Sequence, residues 1–247
     1  MILEDSKGSM ADSGQAQREK ELAGRAAAEL VRDGDVVGLG TGSTAYFAVV
    51  ALGERVKGGL KIVGIPTSVA TAEVAKKAGV PLTTLDEHPE IHITIDGADE
   101  IDPHLNLIKG GGGALLREKV VAAASKKMVV VADSAKTVPV LGKFPLPVEI
   151  VAFARTVVEN KIKSLGATVR LRTKPDGATC LTDNGNPILD CSFGKIEDPA
   201  ALARILSDMP GVVEHGLFIG LASMALVAKG NLVDTLDRGA RKPRREA

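Results

Sequence analysis

Apolar runs alternate with amphipathic segments through the first half of the chain. Four short apolar runs end at glycine, proline or aspartate, and they predict strands at 35–39, 61–65, 91–95 and 128–132. Segments rich in alanine, with charged residues at helical spacing, predict helices at 15–32, 44–56, 68–78 and from Gly113 to about 125. Strands that alternate with helices form a parallel sheet with both faces covered, so we expect an α/β domain here.

The pattern changes near Gly142, where the sequence Phe144-Pro145-Leu146-Pro147 interrupts it. The segments that follow predict a helix at 152–165, a strand at 168–172, a hairpin turning at Asn184-Gly185 and a helix at 199–208. The apolar stretch 213–227 has the character of a strand that rejoins the first sheet. We therefore predict a first domain of residues 11–141 and 214–238, with a small α+β domain inserted at 142–213.

Both ends of the chain are set apart from these domains. The first ten residues, MILEDSKGSM, contain a Gly8-Ser9 pair typical of a cloning-derived leader, so we leave 1–10 out of the fold prediction. Five basic residues lie between Arg238 and Arg245, and we interpret 239–247 as a solvated basic tail. A tail that binds a partner is the alternative interpretation.

Charge and composition exclude several classes of protein. Basic and acidic residues both number 31, and the chain has only six aromatic residues and no tryptophan. Proteins that bind single-stranded nucleic acid need a basic groove and aromatic platforms, so we expect no nucleic-acid partner. With 45% hydrophobic residues and no net charge, the chain is not expected to be disordered.

Membrane insertion and secretion are also not expected. The apolar stretch 216–228 is shorter than the roughly 20 residues that span a bilayer, and no secretory signal begins the sequence. The only cysteines, Cys180 and Cys191, flank the predicted hairpin, in which Cys180 would pair with Leu189. That register leaves the two thiols diagonal, about 7–8 Å apart and too far for an unstrained bridge. Free thiols indicate a reducing compartment, so we expect a cytoplasmic protein.

Polar and small residues follow each of the four predicted strands of the first half. They occupy 40–44, 66–68, 96–100 and 133–136, the last including Lys136. Ligands of open α/β sheets bind beyond the carboxyl ends of the strands, so these four loops are expected to share one crevice.

The first of these loops has the composition of an anion site. Thr41, Gly42, Ser43 and Thr44 join a strand to a helix N-terminus, where backbone amides and the helix dipole favour phosphate. The loop also fits a loose dinucleotide fingerprint, but the second strand ends in Ile-Pro-Thr at 65–67 and lacks the expected acidic residue. A nicotinamide cofactor is therefore disfavoured, and a plain tight turn with an N-cap is the alternative to phosphate binding.

The loop after the third strand carries Asp96, Gly97, Ala98 and Asp99. An acidic turn with a capping aspartate is one interpretation, and metal binding is another. We expect no metal site, because the histidines are scattered and no His/Cys cluster has ligand spacing.

A lysine and four glycines at 109–113 precede the fourth helix. Because glycine runs cost conformational entropy, they are most easily explained where backbone approaches a ligand, although a flexible linker is the alternative. On that helix, Glu118 has only apolar neighbours one turn away. A partly desolvated carboxylate has the raised pKa that a general base needs. The alternative, which the residues alone leave equally open, is a boundary glutamate paired with Arg117 or Lys119.

Together these motifs resemble ribose-5-phosphate isomerase, type A. The similarity extends from about residue 20 to 237 and is carried by six motifs in order: 38–44, 96–101, 109–119, 141–149, 182–186, and 210–213 with 216–218. It implies interconversion of D-ribose 5-phosphate and D-ribulose 5-phosphate in the non-oxidative pentose phosphate pathway, without a cofactor. It also implies a homodimer or homotetramer with a Rossmann-like catalytic domain and a smaller ferredoxin-like lid.

The resemblance also implies roles for individual residues. Glu118 would move a proton between C1 and C2 through an enediolate, Lys109 would stabilise the oxyanion, and Asp96 and Asp99 would bind sugar hydroxyls. Residues at the phosphate end would be Thr41, Gly42, Ser43, Thr44, Lys136 and, from the first helix, Lys20. Other implied substrate contacts are Gly97, Ala98, Gly110, Gly111 and Gly112.

The sequence is less typical of four other functions. An amino-sugar deaminase or a lactonase would share the fold, but Asp96, Asp99, Lys109 and Glu118 together argue against both. A non-catalytic sugar-phosphate sensor needs an output module, and the sequence contains no helix-turn-helix. Coenzyme A transfer would need its own glutamate motif and a longer chain.

Overall fold

The computed structural model describes residues 5–237, with side chains from residue 14 onward. In chain order its elements are α1 (Asp5–Ala28), β1 (Val36–Leu39), α2 (Ser43–Lys57), β2 (Val63–Pro66), α3 (Val69–Ala78), β3 (Ile93–Gly97), β4 (Glu100–Ile101), β5 (Leu107–Ile108), α4 (Leu115–Ala123), β6 (Met128–Asp133), β7 (Leu146–Ile150), α5 (Arg155–Ser164), β8 (Thr168–Leu171), β9 (Ile188–Ser192), α6 (Pro199–Ser207), β10 (Val212–His215), β11 (Leu217–Phe218), β12 (Met224–Lys229) and β13 (Leu232–Asp237). Two 3-10 turns lie at Ser134–Lys136 and Ala152–Ala154.

A six-stranded sheet forms the larger part of the molecule, in the order β13-β12-β6-β3-β1-β2. All neighbouring pairs are parallel except β12 with β13. The predicted parallel sheet is therefore confirmed. β6 is buried along its whole length because Val129 and Val131 face one core while Val130 and Ala132 face another. Burial on both faces explains why its sequence is a continuous apolar run.

The order of the parallel strands places a ligand crevice at one point of the sheet. Along the chain, β1 is followed by β2 on one side, and the next strand, β3, pairs with the other side of β1. This reversal separates the loops that leave β1 and β3, and such a switch point is where open α/β sheets bind ligands. The loops concerned are those that begin at Gly40 and Ala98.

The four-stranded antiparallel sheet has the order β10-β7-β9-β8 and is covered by α5 and α6. Its strands and helices follow one another as βαββαβ, which with this order is the ferredoxin-like arrangement implied by the resemblance. Val158, Ile162 and Leu206 of the helices pack with Val148 and Leu189 of the strands in one core. The fold is therefore α/β, with a Rossmann-like parallel sheet and a smaller ferredoxin-like unit.

The chain returns from the smaller unit to the larger one through β10, β11 and β12. β10 belongs to the four-stranded sheet, β11 pairs with β5 in a three-stranded sheet with β4, and β12 pairs with β6. The expected domain boundary at 213/214 falls inside β10, because this strand must remain paired with β7.

Three local expectations need correction. The predicted hairpin partner of β9 is wrong, because β8 pairs with β9 and places Leu171 opposite Leu189 and Val169 opposite Cys191. Cys180 lies instead in the connection between these strands, where Thr182 and Gly185 close a separate turn. Both cysteines are free, as expected.

The boundaries of two helices also differ from the sequence prediction. α1 begins at Asp5 rather than near 15, so it includes part of the expected leader, and the helix expected from 152 begins as a 3-10 turn before α5. Residues 1–4 of the leader and the basic tail at 239–247 lie outside the described residues.

Candidate active site

A cavity opens at the carboxyl ends of β1 and β3, where the sheet topology places the ligand crevice. Thirteen of the fifteen residues expected from the sequence line it, and these are Thr41, Gly42, Ser43, Thr44, Gly97, Ala98, Asp99, Lys109, Gly110, Gly111, Gly112, Glu118 and Lys136. Asp96 lies beneath the cavity as a fully buried partner of Lys109. Lys20, the fifteenth, is on α1 and does not line the cavity.

Lys109 links the two carboxylates of the site. Its Nζ lies 2.6 Å from the Gly97 carbonyl oxygen, 3.0 Å from Asp96 Oδ2 and 3.3 Å from Glu118 Oε1. Burial lowers the pKa of Lys109, but the charges of Asp96 and Glu118 outweigh it and raise the pKa to about 12. The ammonium group therefore stays charged at neutral pH.

Glu118 is buried among apolar side chains, as its helical position predicts. Leu115, Val121 and Ala122 on the same face of α4 are buried with it. Burial raises the pKa of Glu118 to about 8, although the charge of Lys109 acts in the opposite direction. Its Oε2 has no hydrogen-bond partner among the described residues.

The alternative of a boundary glutamate is wrong. Arg117 contacts Asp183 and Asn184 of the smaller unit, and the Lys119 Nζ lies 2.6 Å from Glu214 Oε1. Neither side chain pairs with Glu118, because both leave α4 on other faces.

Asp96 is held rigidly at the end of β3. Its Oδ1 accepts hydrogen bonds from the backbone N–H groups of Thr41 and Gly97, at 3.1 and 2.8 Å. Complete burial raises its pKa, although Lys109 counters this effect. A Cβ atom at Gly40 would clash with Oδ1, so the first glycine of the loop at 40–44, the anion loop, is needed to admit this carboxylate.

The glycine run is explained by close packing against Asp99. The Gly111 N–H donates to Asp99 Oδ2 at 2.8 Å, and a Cβ at Gly111 would meet Asp99 Oδ1 at 2.6 Å. Gly110 has a positive φ of 101°, a conformation that glycine adopts without strain. The flexible-linker alternative therefore does not describe this segment.

Three hydroxyl groups form hydrogen bonds with Thr41 and support the anion loop. Thr41 Oγ1 lies 2.8 Å from Thr67 Oγ1, 2.8 Å from Ser68 Oγ and 3.0 Å from Thr71 Oγ1. Thr67 and Ser68 belong to the loop after β2 and Thr71 to α3, and none of them lines the cavity, so this loop supports Thr41 instead of sharing the crevice as the sequence predicted. This network leaves Ser43, which is exposed at the first residue of α2, to face a ligand together with the first-turn amides.

Lys136 ends a 3-10 turn whose position depends on α1. Asp133 caps this turn through the Ala135 N–H, and Glu19 accepts hydrogen bonds from the N–H and Oγ of Ser134. Burial would raise the pKa of Glu19, but hydrogen bonds from Gly230, Gln15 and Ser134 lower it to about 2. The sequence interpretation missed Glu19, although its position four residues before buried Ala23 places it on the inward face of the helix.

The described residues contain no group of three or more His, Cys, Asp or Glu side chains placed to hold a metal ion. His92 has a structural role, because its Nδ1 accepts a hydrogen bond from the Val36 N–H at 2.9 Å. No helix between residues 5 and 237 has the length and apolar character needed to cross a bilayer.

Comparison with known proteins agrees with this geometry. A family model described as ribose 5-phosphate isomerase A (phosphoriboisomerase A) matches residues 63–231. The ribose-5-phosphate isomerase A of Bradyrhizobium diazoefficiens is 53% identical over 238 residues, which cover 92% of this chain and 98% of the relative. That of Nitrobacter hamburgensis is 52% identical, over 89% of this chain and 97% of the relative.

Solved structures agree with the sequence relatives. A D-ribose-5-phosphate isomerase in complex with phospho-erythronic acid has a TM-score of 0.88 and 36% identity, covering 90% of this chain and 99% of that chain. Ribose 5-phosphate isomerase A from Methanocaldococcus jannaschii has a TM-score of 0.85 and 40% identity, covering 89% and 98%. The chain therefore belongs to the ribose 5-phosphate isomerase A family.

Proposed function

We propose that this chain interconverts D-ribose 5-phosphate and D-ribulose 5-phosphate, with Glu118 carrying a proton between C1 and C2. The observation that carries the proposal is the buried contact between Glu118 and Lys109, 3.3 Å apart at the floor of a cavity with an anion loop. A proton next to a carbonyl group is only weakly acidic. Its removal needs a placed base and a charge that stabilises the new oxyanion, and these two side chains supply both.

Glu118 is suited to act as both base and acid. Burial raises its pKa to about 8, so the same carboxyl group takes up and returns a proton at neutral pH. Its Oε2 accepts no hydrogen bond from the described residues and is available to the substrate. The enediolate forms when the C2 proton of the aldose moves to Glu118, and delivery of that proton to C1 gives the ketose.

Lys109 is proposed to stabilise the enediolate by charge rather than by proton transfer. Its pKa of about 12 keeps it protonated. Its ammonium group donates a hydrogen bond to the Gly97 carbonyl oxygen and forms ion pairs with Asp96 and Glu118, and the Glu118 contact is the longest of the three. A substrate oxygen would most easily replace the Glu118 oxygen as a partner of the ammonium group, because that contact is the longest. The replacement also leaves Glu118 free to receive the proton.

Asp99 and the residues that would bind the phosphate have further proposed roles. Asp99 lies between the glycine run and the anion loop, where its carboxylate would assist ring opening and proton movement between O1 and O2. Ser43, Thr44 and Lys136 would hold the phosphate through helix amides, hydroxyl groups and one positive charge. The bound phospho-erythronic acid of the solved relative supports this arrangement, because its planar carboxylate resembles an enediolate and it carries a phosphate.

We further propose that the protein works in the cytoplasm as a homodimer or homotetramer, without metal or cofactor. The family resemblance and the two free cysteines support this proposal. Light scattering of the purified protein measures the oligomer, and activity in the presence of a chelator measures any dependence on metal.

The proposal is tested by ketose formation from ribose 5-phosphate in metal-free buffer. We expect turnover by the natural chain and a loss of at least about a thousandfold in kcat for Glu118→Gln, which keeps the shape but cannot accept the proton. The variant should still bind ribose 5-phosphate in calorimetry, since the phosphate contacts remain. Near-normal turnover by the variant excludes Glu118 as the base, and no ketose from the natural chain excludes the activity.

A further inference from the structure

Arg172 joins the smaller unit to the glycine run of the active site. It follows β8, and its Nη1 donates to the carbonyl oxygens of Gly110 at 2.8 Å and Gly111 at 3.1 Å. Asp190 on β9 holds the other edge of the guanidinium group, accepting from Nε at 3.0 Å and also from Nη2. The arginine side chain is only 14% exposed, and its bonds to Gly110 and Asp190 are partly buried, whereas the bond to Gly111 is exposed.

The Gly110–Gly111 peptide group is held at both ends. Its carbonyl oxygen accepts from Arg172 and, within the loop, from the Gly113 N–H at 3.0 Å, and its N–H donates to Asp99 Oδ2 at 2.8 Å. A planar peptide cannot turn one end without turning the other. Release of the carbonyl by Arg172 would therefore also disturb the hydrogen bond that orients Asp99.

The following peptide group has a fixed direction for the same reason. Arg172 also binds the Gly111 carbonyl oxygen, and the described residues contain no cis peptide bond. In a trans peptide the N–H points opposite to the carbonyl, so the Gly112 N–H points away from Arg172. Gly112 lines the cavity, so this amide is placed on the ligand's side of the loop.

We propose that Arg172 is a positioning residue for the isomerase reaction, acting through the glycine run rather than on the substrate. It turns two successive carbonyls outward, so that Asp99 and the Gly112 N–H are presented to the enediolate end of the substrate. The inference rests on the proposed function. It makes the ferredoxin-like unit a structural part of the catalytic site and not only a cover.

The geometry requires an arginine at this position. The planar guanidinium group binds two carbonyl oxygens with one nitrogen and a carboxylate with the other two. A lysine ammonium group is compact and cannot reproduce that fork across a carboxylate and two carbonyls. The Arg172→Lys variant should therefore keep the charge but hold the loop poorly.

Three variants test the inference. Arg172→Met removes the fork, Arg172→Lys keeps only its charge, and Arg170→Met is the matched control. Arg170 lies two residues earlier on β8, is exposed, and makes no hydrogen bond to a described residue through its side chain. Thermal unfolding of each variant shows whether it folds.

We expect kcat/KM for ribose 5-phosphate to fall about 10- to 100-fold in Arg172→Met, mainly through kcat, since small displacements of a reacting group cost this much. Arg172→Lys should recover little of the loss, and Arg170→Met should stay within about twofold of the natural chain. Inhibition by phospho-erythronic acid should weaken in parallel with kcat/KM in Arg172→Met. Inhibition by inorganic phosphate should be unchanged, because the phosphate end of the cavity does not touch Arg172.

Two results of the activity and inhibition measurements would overturn the inference. One is a kcat/KM for Arg172→Met within twofold of the natural chain. The other is an equal weakening of both inhibitors, which indicates general distortion of the molecule. Amide hydrogen exchange gives a readout that needs no turnover. The Gly111 amide hydrogen should exchange faster in Arg172→Met than in the natural chain, and its rate should be unchanged in Arg170→Met. If the natural chain forms no ketose, the proposed function is wrong. If the Gly111 amide exchanges at the same rate in Arg172→Met as in the natural chain, the proposed role of Arg172 is wrong, whatever the activity.

Discussion

Glu118 shows how one buried position creates both reactivity and cost at the residue scale. A carboxylate that is 3% exposed gives up hydration, and Lys109 returns only part of that stabilisation. Asp96 adds a second negative charge to the same lysine and so raises the pKa of Glu118 further. The buried cluster of Asp96, Lys109 and Glu118 therefore holds two carboxylates and one ammonium group, and it favours a proton on Glu118 near neutral pH.

The pH dependence of the reaction follows from this arrangement. A general base must be ionised, so kcat/KM should rise with pH up to about 8, the pKa of Glu118, and level off above it. In Asp96→Asn the rising limb of the plot of kcat/KM against pH should move to lower pH, because a charge that raises the pKa of Glu118 is removed. Initial rates at low substrate concentration, measured across pH, give both curves.

Asp99→Asn provides a graded comparison for this measurement. The charge of Asp99 raises the pKa of Glu118 less than that of Asp96 does, so its removal should shift the limb less. An unmoved or upward-shifted limb in Asp96→Asn would contradict the assignment of the limb to Glu118.

At the scale of elements, helix α1 supports the phosphate end of the cavity from a distance. Its Glu19 accepts hydrogen bonds from Ser134 and Gly230, and the first of these residues begins the turn that carries Lys136. The helix thus contributes through a buried carboxylate, and the lysine that follows it, Lys20, does not line the cavity.

Lys136→Ala should raise KM for ribose 5-phosphate by about tenfold, corresponding to the loss of one charge-assisted hydrogen bond to phosphate. Its kcat should change little, because the contact is the same in the substrate and in the transition state. Lys20→Ala is the matched control and should leave KM unchanged. Steady-state kinetics separate the two, and a larger KM effect for Lys20→Ala would restore the role that the sequence motif implied for it.

How far the sequence predicts the molecule depends on the kind of contact involved. β6 and the strand predicted at 91–95, which is observed as β3 (Ile93–Gly97), were predictable because a strand buried on both faces, or alternating toward a core, leaves its pattern in the residues themselves. The burial of Glu118 was indicated for the same reason, since its apolar neighbours lie one turn away on its own helix, although the residues alone left a boundary glutamate equally open. Local pattern and local environment coincide in these cases.

Contacts between distant segments were not predictable in this way. Arg172 lies 62 positions from Gly110, and Glu19 lies 211 positions from Gly230. No local period records such a contact, and a charged residue outside a motif is usually solvated. The partner of β9 was mistaken because Asn184-Gly185 does form a turn, but the turn lies within a longer connection.

At the scale of the whole molecule, the active site is built from both units. The parallel sheet supplies Asp96 and the anion loop, whereas the ferredoxin-like unit supplies Arg172 behind the glycine run. Two further contacts join the units at α3 and α4: the Val69 N–H donates to Asp183 Oδ2 at 2.8 Å, and Arg117 Nε donates to Asn184 Oδ1 at 3.1 Å. These contacts fix the smaller unit against the helix that carries Glu118. The chain has no net charge, so the substrate phosphate is expected to be attracted by local donors alone.

The stability of the protein should reveal how much the burial of Glu118, the proposed catalytic base, destabilises the fold. The pKa of Glu118 is about 8 in the folded protein and near 4.5 in the unfolded chain, so the folded state binds more protons between these values. The contribution of Glu118 to the free energy of unfolding therefore falls as pH rises from about 4.5 to 8. Glutamine at this position stays neutral, so Glu118→Gln should match the natural chain near pH 4.5 and exceed it increasingly toward pH 8. Each kcal/mol of difference raises Tm by about 2–4 °C for a chain of this size.

Thermal unfolding of both proteins across pH measures this difference, and Glu197→Gln is a suitable control. Glu197 is exposed, and its side chain makes no hydrogen bond or ion pair with a described residue, so its removal should not produce a gap that widens with pH. A constant difference between Glu118→Gln and the natural chain would mean that Glu118 is ionised in the folded protein throughout this range. The raised pKa would then be wrong, and Glu118 would be a weaker base than the proposed proton transfer needs. A gap that widens toward pH 8 would instead connect activity and stability through one buried carboxylate, because the environment that makes Glu118 basic enough to react also destabilises the fold.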